Sequence, residues 1–174
     1  MAFDSRSVKT TDWGVIGCAA ALLVFSFVGS YVTASFEASG ELAGMGDFDT
    51  ASGISAWDSY AVLGLLLLFA VGAIAAARVF VGVSLPTIPV GWNLVLAGAA
   101  ALGTLLLVLR AFTYSESGSV AGGSYDVGPG WSGWLVMLLA VGETAFAVLA
   151  FRESGEAVPW QQRSPQRPPA APPA

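Results

Sequence analysis

Residues 131–151 read WSGWLVMLLAVGETAFAVLAF: 21 positions with no proline and a single charged side chain, Glu143. As an α-helix this run extends ~32 Å, enough to cross a hydrocarbon core of ~30 Å. Three further apolar stretches, about 13–34, 60–83 and 90–112, match it in length and also lack proline. Each can close its backbone hydrogen bonds within one continuous helix, as a bilayer demands. The pattern predicts an all-α membrane protein, an antiparallel four-transmembrane-helix bundle. Residues 1–12 would form a short cytoplasmic N-terminus and residues 152–174 a disordered, proline-rich cytoplasmic tail.

Composition supports the same solvent. Of 174 residues, 55% are hydrophobic and 11% charged, too few charges to solvate a soluble domain of this size. The formal net charge of -5 comes from acidic residues gathered in two short loops, so it reads as topology rather than as a basic partner's docking face. There is no histidine and Cys18 is the single cysteine, which excludes an intrachain disulfide framework and most zinc or haem sites. No nucleophile–base pair or metal motif is legible, so the expectation is a non-enzyme without a cofactor.

Orientation follows from the flanks. Arg6 and Lys9 precede the first stretch, Arg78 closes the second, and Arg152, Arg163 and Arg167 follow the fourth. Four crossings put all of these on one side, the cytoplasm by the positive-inside rule. The opposite side receives Glu37, Glu41, Asp47, Asp49, Asp58, Glu116 and Asp126 in two loops rich in Gly, Ser and Asp. These loops show no apolar periodicity of a folded outer domain, although Leu42, Met45, Phe48 and Ile54 are able to dip into the interface. Asp47-Phe-Asp49 with Asp58 lacks the spacing of a calcium loop. Arg110, the one basic residue at the outer side, is expected to snorkel.

Trp13, Trp57, Tyr60, Trp92, Trp131 and Trp134 mark the entrances of the stretches and read as an interfacial belt. Pro86 and Pro89 make a short turn that folds the second and third helices into a hairpin. Small residues four apart, Gly72 and Ala76, Ala73 and Ala77, Ala99 and Gly103, offer close-packing faces, within the chain or in an oligomer. Two P-x-x-P patterns, 165–168 and 169–172, suit an aromatic groove on a partner, though a flexible tail is the simpler reading.

Glu143 needs an explanation. Eight positions before Phe151, it sits ~12 Å inside the cytoplasmic edge, beyond snorkelling reach. Arg78, ~7 Å inside the same edge, is the expected partner, with Thr144, Thr104 and Ser26 as further donors. The two charged residues form a candidate intramembrane polar site, either a register-fixing pair or a protonation point on a pathway.

Thr-Asp-Trp-Gly-Val-Ile-Gly at the first stretch, Ser-Ala-Trp-Asp-Ser-Tyr before the second and Ala-Phe-Arg-Glu-Ser-Gly ahead of the proline-rich tail resemble uncharacterised four-span membrane proteins of actinobacteria. The resemblance implies a multi-pass protein of the bacterial plasma membrane and assigns no activity. Three roles remain. The first is a structural or accessory envelope protein, self-associating or part of a membrane complex, with lipid as its constant partner and no nucleic acid. The second is a small transporter or channel component using Glu143 as a proton or ion site. The third is an envelope sensor whose acidic loops bind a cation or peptide.

Overall fold

A computed structural model describes residues 8–38, 48–113, 115–120, 123–156 and 158, with 38, 48–54 and 120 described by backbone alone. Its elements run α1 (Thr10–Ser26), β1 (Val32–Ala38), β2 (Phe48–Ile54), α2 (Ala61–Ala76), α3 (Trp92–Thr113), β3 (Glu116–Val120), β4 (Gly123–Pro129) and α4 (Trp131–Ser154). A π-helical turn, Ala77–Val81, continues α2. The proline-rich tail from Pro159, the basic residues Arg6, Arg163 and Arg167, and the loop positions Glu41, Leu42, Met45 and Asp47 lie outside the described residues.

The chain is mostly helical, and three helices, Ala61–Val81, Trp92–Thr113 and Trp131–Ser154, are long and apolar enough to cross a membrane. α1 is apolar but shorter, 17 residues or ~26 Å. It begins before Trp13 and ends at Ser26, not at residue 34 as the apolar stretch suggested. The last three residues of that stretch, Val32, Thr33 and Ala34, belong to strand β1. After Gly29 and Ser30 the chain alternates Val32, Ala34, Phe36 with Thr33, Ser35, Glu37, a period of two that suits a sheet with unlike faces.

The four helices form a ring of neighbours, α1 on α2 and α4, α3 on α2 and α4. Every neighbour pair is antiparallel. Trp13 meets Phe80, Tyr60 meets Thr113, Phe112 meets Trp134, and Thr11 near the start of α1 meets Glu153 near the end of α4. Leu22, Leu65, Leu68, Leu107 and Val136 fill the centre with no exposed surface. The backbones of α2 and α3 touch, since a Cβ on Gly64 would lie 2.7 Å from the Gly103 carbonyl oxygen and one on Gly103 2.8 Å from that of Gly64. Gly72 leaves the room that Ala19 of α1 takes. Gly72 and Gly103 are thus used in packing inside the chain.

The two long connections correct the expectation of unfolded outer loops and of an all-α chain. They form one antiparallel sheet in the order β2-β1-β4-β3. β1 pairs with β2 of its own loop and with β4 of the other, from Val32 opposite Pro129 to Ala38 opposite Gly123. One face presents Ser35, Glu37, Ser117, Ser119, Ser124 and Asp126, all exposed; Phe36, Tyr125 and Val127 are on the other. Short strands rich in Ser and Gly carry a weak alternation, and a count of apolar residues alone passes over it.

Candidate functional site

Glu143 lies on the inward face of α4 with no exposed surface, and neither carboxylate oxygen has a hydrogen-bond partner. Small neighbours make the space: α4 supplies Ala140 and Ala147 one turn to either side, and a Cβ on Gly72 of α2 would stand 3.8 Å from Oε1. The hydroxyls expected to help are turned elsewhere. Thr104 donates to the Ala140 carbonyl at 2.9 Å and pairs with Thr144 at 2.8 Å, while Ser26 bonds the Leu23 carbonyl near the sheet.

Arg78 does not reach Glu143. Its Nη1 donates to Asn93 Oδ1 at 2.9 Å, at the end of the helices away from the sheet. Depth along the helix axis was compatible with a pair; direction around it is not. The π-helical turn that holds Arg78 widens the end of α2, and the guanidinium meets the first turn of α3.

Asn93 joins a larger polar network at this end. Glu156, just past α4, accepts from the backbone N–H groups of Asn93 at 3.1 Å and Leu94 at 3.3 Å and from Asn93 Nδ2 at 3.0 Å. A carboxylate from another helix thereby caps the start of α3, where unpaired N–H groups and the helix dipole favour negative charge. Gly91 permits this approach, because a Cβ there would collide with the carboxylate. Sequence reading missed Glu156 and Asn93: Glu156 lies beyond the apolar runs, and Asn93, at the start of the third, carries no charge, the signal that singled out Glu143.

The same end contains a polar vestibule of about 340 Å³ whose walls include Lys9, Asp12, Arg78, Asn93 and Ser154. A narrower neck of about 20 Å³ shares Asp12, Arg78 and Asn93 with it and continues between Val15, Val71, Ala75, Leu96 and Ala147. The neck reaches Ala147, one turn from Glu143, and Val71, next to Gly72.

At the sheet end, Arg110 corrects the snorkelling expectation. It is 4% exposed and lies 6.0 Å from the centre of the Tyr60 ring, within cation–π range. One turn away, fully buried Tyr31 donates its hydroxyl to the Leu107 carbonyl at 2.6 Å, tying the root of β1 to α3. Trp57 is more than an interfacial anchor: it stacks on Phe27 at 5.5 Å and donates Nε1 to Ser26 Oγ at 3.2 Å.

Among the described residues no group of three or more His, Cys, Asp or Glu side chains is placed to hold a metal ion. Comparison with known proteins returns no matching family model, no matching curated protein and no matching solved structure.

Proposed function

We propose that this chain is a non-enzymatic accessory protein of the bacterial plasma membrane, four helices spanning the bilayer with both termini in the cytoplasm and the sheet outside. One observation carries the accessory role: the two outer connections are welded into a single sheet with an exposed face of serines and carboxylates, rooted in the helices by Tyr31. A rigid polar surface of this kind suits docking to an envelope partner or a second copy, and its outer strands β2 and β3 each have a free edge for strand addition among the described residues.

The helix exteriors support four crossings. Leu23 and Val24 of α1 are 45% and 66% exposed, and Leu63, Leu102 and Leu138 stand out in the same way from α2, α3 and α4. Lipid is the solvent that suits such surfaces. In this frame a 17-residue α1 spans the core by local thinning of the bilayer. Lys9, Arg78 and Arg152 then share the cytoplasmic side, and Glu37, Glu116 and Asp126 the outer one.

The test is site-specific photo-crosslinking in cells from Ser117 and Ser119. Adducts that are lost when Ser35 and Ser124 are replaced by bulky residues support docking at this face; absence of adducts from both sites sinks the accessory reading.

A second reading has its own observation. Glu143, buried without a partner above a polar vestibule, suits an intramembrane proton or ion site in a small transporter or channel component.

A further inference from the structure

We infer that Glu143 is a proton-binding carboxyl loaded from the cytoplasmic end only, through the vestibule of Lys9, Asp12, Arg78 and Asn93. This deepens the second reading and rests on the membrane topology proposed above.

The route is short. The vestibule narrows to the neck between Val15, Val71, Ala75, Leu96 and Ala147, whose ~20 Å³ suffices for about one water molecule. From Ala147 to Glu143 is one helical turn, ~6 Å, and the neighbour of Val71, Gly72, packs beside Oε1, where a Cβ would stand 3.8 Å away. A water in the neck therefore stands about one helical turn from Glu143, and the transfer is completed by the carboxyl swinging toward the neck or by one further water between them. A hydronium there gives its proton to a Glu143 oxygen and leaves as water; the reverse step returns it. Toward the sheet, by contrast, Leu22, Leu65, Leu68, Leu107 and Val136 pack together with no exposed surface.

The ligand is a proton rather than a metal cation. Hard cations take six or more oxygen ligands, whereas the walls near Glu143 are Ala19, Gly72, Ala140 and Ala147, and the nearby hydroxyls of Thr104 and Thr144 already bond each other and a carbonyl. A proton needs only the carboxyl. The ionisable groups on each packed element are few among the described residues. α1 brings the Cys18 thiol, which lies against Gly142 of α4, and Asp12 at the vestibule. α2 brings Arg78, engaged by Asn93; α3 brings Arg110, at the far end over Tyr60; α4 adds Arg152 and Glu153 near its terminus. None of them supplies Glu143 with a hydrogen bond.

The experiment is infrared spectroscopy of the full chain in oriented proteoliposomes, with the pH stepped separately on each side. Orientation is fixed beforehand by impermeant thiol labelling of Ser119→Cys and of Arg152→Cys, an exposed position outside the vestibule near Ser154, with the wild-type chain as the Cys18 background. The expected result is a protonated-carboxyl band that follows the pH on the Ser154 side and is lost in Glu143→Gln. Ala75→Val, which fills the neck, should slow its response by about tenfold, equivalent to ~1.4 kcal/mol on the barrier. A band absent from the wild type, retained in Glu143→Gln, equally responsive from the Ser119 side, or as fast in Ala75→Val overturns the inference. Labelling of both cysteines from one side would instead defeat the topology, a separate failure.

Discussion

Tyr125 and Glu116 show how one side chain on the sheet tunes another. The phenol donates to Glu116 Oε1 at 3.3 Å, and the charge of Glu116, more than burial, pushes its titration above the ordinary tyrosine value. A group whose folded titration is raised contributes stability below its unfolded value and loses it as pH rises through the folded one. The contact therefore holds at neutral pH and weakens in strong alkali. Glu116→Gln is expected to move Tyr125 back toward its ordinary value, read as an earlier rise in the tyrosinate absorbance difference; superimposable curves would contradict the assignment. Glu143 stood out in the sequence because a charge within an apolar run is costly anywhere along it. Its relation to Arg78 was not legible. All four helices carry apolar residues nearly all round, so hydropathy gives depth and no direction, and the π-helical turn that aims Arg78 at Asn93 leaves no mark in residue type.

Glycine has unequal value along these helices, and the difference is measurable. Gly64→Ala drives a Cβ against the Gly103 carbonyl and its neighbour Leu107, so the α2–α3 pair must separate, with an expected loss of about 1–3 kcal/mol. Gly98 faces open space, and Gly98→Ala should be neutral or stabilising by up to about 1 kcal/mol. Equal thermal midpoints for the two variants in one detergent would show that the close crossing is not formed. The existence of three long apolar helices was plain from composition, whereas the crossing point was not, because Gly64 belongs to none of the small-residue pairs spaced four apart. The strands were legible in principle. Thr33, Ser35 and Glu37 alternate with Val32, Ala34 and Phe36, but small side chains weaken the contrast, and the alternation was absorbed into the end of an apolar stretch.

Tyr31 connects the two layers of the molecule, helices on one side and sheet on the other. Removing its hydroxyl in Tyr31→Phe deletes the bond to the Leu107 carbonyl, with an expected loss of about 1 kcal/mol. Amide exchange should quicken in β1 and β4 more than in the centres of α2 and α3; uniform acceleration would mean that the hydroxyl serves the helical core alone. The β1–β4 ladder has a further consequence during synthesis. It joins segments roughly ninety residues apart, so it cannot close until the second of the two long connections has been made. Before then β1 and β2 form an isolated hairpin, marginal in water and open along the edge that β4 will cover. A chain stalled or truncated ahead of β4 would display that bare edge to proteases and chaperones, and a finished chain would hide it. Closure of the sheet thus distinguishes a completed molecule from an incomplete one.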